Sequence, residues 1–350
     1  MKKKDKIALQ ALIYLSLILG AYLLLFNLGM EINDCEPGVI ILSLLGAGAL
    51  GRIIAELGVR IIKKLKLDVK REEKKLDLIS CKDYVTTQKK VLENIIAKND
   101  IKPCLVVFQV DSYEASNKYI AGKKRDAEEL GVKLKHIVLD SAKVTQEEFE
   151  SAIEKEGMDE NCHGIIIQLP IPKKYNVVKL QNKIPREKDV DGFRVDSCFK
   201  PCTPKGIMDW LTYNDFKFEG ADVCVIGRSK IVGRPLVNML IEAGATVTCC
   251  NSLTKSVTPY TIISDLVITA TGTPKWWCKE IFPNTIVVDV GINKDHHGKL
   301  CGDVNKDYID KWVDNVYVTP VPGGVGLLTR VALMENVVKA CLMAKGEVII

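Results

Sequence analysis

A tyrosine and a lysine in the segment SNKYIAGKK (116–124) have a spacing that could support proton transfer. Tyr119 and Lys123 are four residues apart, which places them on one face of a helix. A lysine amine has a pKa of about 10.4 and is a poor base near neutral pH, but burial lowers that pKa. The spacing alone leaves two interpretations open. Lys123 is either a buried proton-transfer group or a solvated surface charge like Lys124 and Arg125, which follow it.

A second group of residues has the pattern of a nucleotide-binding loop. The segment ADVCVIGRSKIVGRPLVNML (221–240) predicts a buried strand, a loop containing Gly227 and Gly233, and a helix. Doubly wound α/β folds bind pyrophosphate at such a helix N-terminus. Because the glycine spacing is not GxGxxG, an ordinary strand–loop–helix crossover stays open. The next strand ends in CCNS and carries no acidic residue that could bind the ribose of NAD. Arg228 in the loop could instead bind the 2′-phosphate of NADP. The sequence therefore favours NADP.

Strand and helix patterns alternate through the body of the chain. CLVVFQV (104–110), KLKHIVLD and GIIIQ are strand-like, and helical patterns separate them at 116–131 and after Thr145, a plausible N-cap. A second α/β series begins near Pro204. This alternation predicts parallel sheets. We therefore expect two α/β domains, of which the C-terminal one is a Rossmann-like NADP-binding domain.

Composition excludes some classes of protein. A chain of 350 residues that is 47% hydrophobic and 27% charged fits two globular domains. The net charge of +5 is mild and much of the excess lies near the N-terminus, so the charge does not predict nucleic-acid binding. The 12 cysteines include no CxxC pair and no zinc-like spacing with histidine. We expect reduced thiols and no metal site.

The N-terminal region has the pattern of a membrane segment. Residues 7–28 carry no charge, and a weaker apolar stretch runs over 38–62, with basic residues at both outer ends. About 20 apolar residues suffice to span a bilayer, and positive flanks face the cytoplasm. Residues 1–70 are therefore predicted to form a transmembrane helical hairpin with a basic linker. The chain would be membrane-anchored, with its two α/β domains facing the cytoplasm. One span with an interfacial second helix and a cleaved signal peptide are the alternatives.

Several segments occur in an order that is specific to one family. ASNKYIAGKK, GIIIQLPIP, KDVDGF, PCTPKGI, GRSKIVGRP, VVDVGIN, GDV and TPVPGGVG follow one another between about residues 80 and 345. In this order they resemble the bifunctional methylenetetrahydrofolate dehydrogenase/methenyltetrahydrofolate cyclohydrolase family. The resemblance implies NADP-dependent oxidation of 5,10-methylenetetrahydrofolate and hydrolysis of the product to 10-formyltetrahydrofolate. It also implies tetrahydrofolate derivatives as ligands, and a homodimer.

The resemblance assigns roles to individual residues. Tyr119 would stack on the folate, Lys123 would be the main catalytic residue, Gln168 would tune it, and Asp191 would hold the pterin. The turn Pro322, Gly323 and Gly324 would also line the substrate site. The implied cofactor contacts are Gly227, Arg228, Ser229, Gly233, Ser252, Thr271, Gly272 and Ile292. The folate-binding catalytic domain would comprise 71–203 and 320–350, and the NADP-binding domain 204–319.

Two positions depart from the family pattern, and two other functions stay open. Asp111 replaces a usual glycine and Leu327 a usual proline, which could change substrate affinity and the balance of the two activities. One alternative function is a membrane-tethered folate- or nucleotide-binding module without catalysis. The other is a dehydrogenase of a different small substrate on the same two-domain plan.

Overall fold

The computed structural model describes residues 77–277, 285–306 and 316–347. The predicted membrane hairpin and linker, residues 1–70, lie outside this part of the chain. In the described ranges, no helix is both long enough and apolar enough to cross a membrane.

The first half of the described chain builds a parallel three-stranded sheet with strand order β3-β2-β4. This half of the chain contains β1 (Asp77–Leu78), α1 (Lys82–Lys98), β2 (Cys104–Val110), α2 (Glu114–Glu129), β3 (Lys133–Leu139), α3 (Gln146–Met158), β4 (Gly164–Gln168) and α4 (Val177–Lys183). Thr145 caps α3 as predicted. Its hydroxyl accepts from the Glu148 backbone N–H, while the Glu148 carboxylate accepts from the Thr145 N–H.

The second half builds a parallel six-stranded sheet with strand order β1-β11-β8-β7-β5-β6. Its elements are α5 (Cys202–Tyr213), β5 (Asp222–Ile226), α6 (Gly233–Glu242), β6 (Thr246–Cys250), α7 (Thr258–Thr261), β7 (Leu266–Thr269), β8 (Ile286–Asp289), β9 (Asn293–Lys294), β10 (Leu300–Cys301), β11 (Tyr317–Val318) and α8 (Val325–Ala344). The strands β9 and β10 form a small antiparallel pair. The predicted α/β class is confirmed. The domain boundaries stay a prediction, and β1, near the start of the first predicted domain, pairs within the second sheet.

Residue alternation along the strands explains why the three-stranded sheet is covered on both faces. In β2, Val106 and Phe108 pack with Phe149 of α3 on one face. Leu105 and Val107 point to the other face and belong to a core shared with α8. Successive strand side chains point to opposite faces, so a continuously apolar strand requires helices on both sides.

The final helix α8 returns to the three-stranded sheet. It packs against α5, α1 and α2. The close approach to α5 depends on Gly206, because an added Cβ there would lie 2.6 Å from the Leu328 carbonyl oxygen. This packing brings the turn that precedes α8 to the face of α2 that carries Tyr119.

Candidate active site

Lys123 is buried rather than solvated. Its side chain is 9% exposed, and its Nζ donates a hydrogen bond of 2.9 Å to Gln168 Oε1 at the end of β4. The Gln168 amide is oriented by its own Nε2, which donates to the Leu169 carbonyl at 2.8 Å. The neighbouring Lys124 and Arg125 are exposed. The register of α2 therefore points Lys123 toward the interior of the protein, whereas Lys124 and Arg125 point toward solvent.

The surroundings of Lys123 favour its uncharged form. Burial lowers the pKa of the Lys123 amine, and the charge of Arg330 lowers it further. Asp191 and Cys202 act in the opposite direction and raise that pKa, but the net effect is a lowered value. Burial also raises the pKa of the Asp191 carboxyl, and the Lys123 charge opposes that shift. Both net shifts favour neutral side chains. A neutral amine can accept a proton, which an exposed lysine at neutral pH cannot do.

Asp191 and Asp189 have different tasks although they are two residues apart. The Asp189 carboxylate accepts from the Arg194 backbone N–H at 2.9 Å and organises the loop. Asp191 interacts electrostatically with Lys123 instead. Gly192 follows Asp191 with φ +70°, and an added Cβ would lie 2.7 Å from the Phe199 carbonyl oxygen. Glycine is therefore required at this sharp turn.

A cavity of about 470 Å³ lies beside this group. Tyr119, one helical turn before Lys123, forms part of its wall, together with Ile292 and the predicted turn Pro322, Gly323 and Gly324. Lys118, Arg125, Asp289, Asn293, Lys294, Leu327 and Arg330 also line it. Lys123, Gln168 and Asp191 do not line this cavity. The structure thus brings the predicted substrate-site residues into two groups that α2 connects.

The loop after β5 has the close backbone approach that a pyrophosphate requires. Gly227 has φ +120°, and an added Cβ would lie 2.3 Å from the Ala270 carbonyl oxygen. A Cβ on Gly233 would lie 2.0 Å from the Gly227 carbonyl oxygen. The Ser229 hydroxyl accepts from the Val232 N–H at 3.1 Å and thereby shapes the loop. These residues fit a nucleotide whose phosphates lie at the N-terminus of α6.

Positive charge gathers where a 2′-phosphate would lie. Arg228 is exposed, and its charge and that of Arg234 lower the pKa of the Cys249 thiol, although burial raises that pKa overall. Cys249 lies near the end of β6, just before the predicted contact Ser252, which is exposed. Thr271 and Gly272 follow β7 at the same sheet edge.

The sequence patterns missed three residues at these sites. Arg234, in the first turn of α6, adds a second guanidinium close to Cys249, and Asp303 holds Thr271 and Gly272. Arg330 crosses over Gly122, where an added Cβ would lie 2.1 Å from its Nη1. Arg330 Nε lies 2.7 Å from Asp126 Oδ2 as an ion pair, without hydrogen-bond geometry. Arg234 lies in the motif GRSKIVGRP and Asp303 in the motif GDV, but neither motif indicated a role for these two residues.

The two departures from the family pattern have local structural explanations. Asp111 has φ +55°, a conformation that favours glycine. Its carboxylate accepts from the Ser141 backbone N–H at 2.8 Å, which stabilises the turn. Leu327 lies in the first turn of α8, and its N–H donates to the Gly324 carbonyl at 2.9 Å. Proline could not make that bond.

Metal-ligating side chains do not cluster in the described ranges. No group of three or more histidine, cysteine, aspartate or glutamate residues there could hold a metal ion.

Comparison with known proteins gives two family matches and many close relatives. The catalytic domain of tetrahydrofolate dehydrogenase/cyclohydrolase matches residues 79–191, and the NAD(P)-binding domain of the same family matches residues 201–345. The bifunctional protein FolD of Listeria innocua is 38% identical over 265 residues, which are 72% of this chain and 92% of that protein.

Solved structures agree with these matches. The bifunctional FolD dehydrogenase/cyclohydrolase of Campylobacter jejuni superimposes with a TM-score of 0.72 at 37% identity, covering 78% of this chain and 99% of that one. The Trypanosoma brucei methylenetetrahydrofolate dehydrogenase-cyclohydrolase, solved with NADP and an inhibitor, gives a TM-score of 0.71 at 28% identity, covering 77% and 98%. The predicted pair of α/β domains, with a Rossmann-like C-terminal one, is confirmed.

The comparisons contradict the predicted membrane anchoring. The first family match begins at residue 79, and 92% of the Listeria relative aligns within 72% of this chain. The relatives therefore offer no counterpart of a membrane hairpin. The prediction of a membrane-anchored localisation was wrong. A run of about 20 apolar residues meets the length requirement for a span, but length by itself does not establish insertion.

Proposed function

This chain belongs to the tetrahydrofolate dehydrogenase/cyclohydrolase family, which carries out two reactions, and we propose that Lys123 is the proton-transfer residue of the second. The first oxidises 5,10-methylenetetrahydrofolate to 5,10-methenyltetrahydrofolate with NADP. The second hydrolyses that product to 10-formyltetrahydrofolate. Family membership confirms the two predicted activities. NADP agrees with the matched NAD(P)-binding domain and with the Trypanosoma relative that was solved with NADP.

The observation that carries the proposal is the buried contact between Lys123 and Gln168. The Lys123 amine is almost excluded from water and lies 2.9 Å from a neutral amide oxygen. An amide can orient the amine without stabilising its charge as a carboxylate would. This arrangement suits a lysine that must accept a proton near neutral pH.

The dehydrogenase step requires two rings to meet in a fixed orientation. A C–H bond of the one-carbon bridge breaks and its electron pair leaves with the hydrogen as a hydride. The carbon left behind is a cation whose charge two nitrogens share. NADP, when bound, accepts the hydride. Tyr119 and the turn Pro322–Gly324 form parts of the wall of the same cavity. They would hold the folate ring flat, so that most of the catalytic gain comes from positioning.

The cyclohydrolase step adds water to that cation. A C–O bond forms while an O–H bond of the water breaks, and Lys123 accepts the proton. The ring then opens as a C–N bond breaks, and the proton passes from Lys123 to the leaving nitrogen. The remaining hydroxyl proton is released to water as the C=O bond of the formyl group forms. Asp191 would accept hydrogen bonds from the N–H groups of the pterin. It would thereby hold the ring next to Lys123.

A paired assay tests this function. The purified full-length chain should reduce NADP in the presence of methylenetetrahydrofolate, and should separately convert methenyltetrahydrofolate without nucleotide. Absence of both activities in folded protein would favour the non-catalytic binding module. NADP reduction with another small substrate, but not with the folate, would favour the other dehydrogenase. The family resemblance also supports a homodimer, which sedimentation analysis would test.

A further inference from the structure

Two buried aspartates lie next to the predicted cofactor loops, and the mechanism above does not use them. Asp289 is the last residue of β8, and Asp303 precedes the bridge between Val304 and Trp277. They are 1% and 0% exposed. Buried charges require partners, and both carboxylates find theirs almost wholly in loops at the carboxyl edge of the six-stranded sheet. Ligands of open α/β sheets bind at this edge.

Asp303 connects two separate segments of that edge. Its Oδ2 accepts from the Thr271 N–H at 2.7 Å, from the Thr271 hydroxyl at 2.9 Å and from the Gly272 N–H at 3.3 Å. Its Oδ1 accepts from the Thr273 N–H at 3.1 Å and from Asn293 Nδ2 at 2.9 Å. One side chain thus binds three consecutive residues after β7 and the residue that follows Ile292.

Asp289 holds Asp303 in turn. Its Oδ1 accepts from the Asp303 N–H at 2.9 Å, and its Oδ2 accepts from the Val304 N–H at 3.2 Å. Two glycines make room for the carboxylates. An added Cβ would lie 2.1 Å from Asp303 Oδ1 at Gly291 and 1.8 Å from Asp289 Oδ2 at Gly302. The arrangement is therefore tightly packed and admits little rearrangement.

We propose that Asp303 is a positioning residue for NADP, because it holds the 271–273 loop and the 291–293 segment in the geometry that binds the nucleotide. This inference rests on the proposed function. A purely structural aspartate would stabilise the whole protein without favouring one activity. A positioning residue for the nucleotide affects the reaction that needs NADP and spares the one that does not.

The substitution Asp303→Asn isolates this role because it preserves side-chain volume. All five groups that point at the carboxylate are donors. An asparagine NH₂ group cannot accept hydrogen bonds, so either orientation of the amide leaves donors facing a donor. We expect the KM and the Kd for NADP to rise about tenfold or more, the effect of losing at least one charge-assisted hydrogen bond.

The experiment compares the two activities of the same variant. NADP binding is measured by calorimetry without folate, dehydrogenase kinetics are measured over a range of NADP concentrations, and cyclohydrolase kinetics are measured without nucleotide. For Asp303→Asn, cyclohydrolase kcat/KM should stay within about twofold of the wild-type value. The matched control is Asp265→Asn. Asp265 is exposed and accepts from the Asp222 N–H at 2.9 Å, at the opposite edge of the same sheet. It should leave both activities unchanged.

Two results would overturn the proposal. One is a parallel loss of both activities in folded Asp303→Asn protein, and the other is unchanged NADP affinity. If Asp303→Asn does not fold, Thr271→Val is the second variant. It removes the hydroxyl that donates to Asp303 and keeps the shape of the side chain. Unchanged NADP affinity of the Thr271→Val protein would equally refute the inference. The wild-type assays keep the two ideas separate, because a wild type without either activity refutes the proposed function instead.

Discussion

Replacing Gln168 by glutamate tests whether Lys123 must be uncharged. The wild-type amide oxygen lies 2.9 Å from Lys123 Nζ, and Gln168→Glu would place a carboxylate oxygen there. A nearby negative charge stabilises the ammonium form and raises the pKa of the lysine. Less of the lysine is then neutral at pH 7. The cyclohydrolase rate should fall, and its rise with pH should move to higher pH.

The size of this effect follows from the distance. Two unit charges 2.9 Å apart attract by about 6 kcal/mol at an effective dielectric constant of about 20. The Leu169 carbonyl accepts from the Gln168 amide at 2.8 Å and would repel the second carboxylate oxygen. We therefore expect about half of that energy, about 3 kcal/mol, to stabilise the ammonium form, which corresponds to a loss of about 100-fold in the cyclohydrolase rate at pH 7.

The assay is methenyltetrahydrofolate hydrolysis followed by absorbance across the pH range. Gln168→Met is the control, because it removes the acceptor without adding charge. The methionine variant should lose activity without an upward shift of its pH profile. If the glutamate variant keeps wild-type activity at pH 7, or if its profile does not move upward, Lys123 does not act as a neutral base.

Three further predictions test the remaining assignments. Lys123→Met should lower cyclohydrolase kcat by about 100-fold or more, whereas Lys124→Met, on the exposed side of the same helix, should change kcat less than twofold. Equal losses in the two variants would refute the assignment of Lys123 as the buried residue. Arg228→Ala should raise the KM for NADP about tenfold or more but leave the KM for NAD unchanged, since a charge-assisted contact to the 2′-phosphate is lost; steady-state kinetics with both nucleotides decide this. Asp111→Ala should lower the free energy of unfolding by about 1–3 kcal/mol, because it keeps the unfavourable φ and loses the bond to Ser141, whereas Asp111→Gly should be nearly neutral in thermal melts.

Local patterns predicted the elements that carry the site. The apolar run of β2, the cap of α3 and the four-residue spacing of Tyr119 and Lys123 follow from periodicity and capping chemistry. These signals are short-range, so a single sequence displays them. The same kind of signal misled at the N-terminus, where two apolar stretches matched the length of membrane spans.

The order of motifs determined the family, and the glycine-containing loop after β5 indicated a nucleotide. The family motif singled out Lys123, but spacing by itself could not decide which of three adjacent basic residues is buried, because burial depends on packing against Gln168, 45 residues away. Nor did any pattern indicate that Asp303 holds Thr271 and Gly272, since hydrogen bonds of a carboxylate to distant backbone amides have no periodicity. Periodicity thus determined the helices and strands, whereas burial and the pKa of Lys123 were decided by the tertiary structure, which excludes water from side chains far apart in the chain.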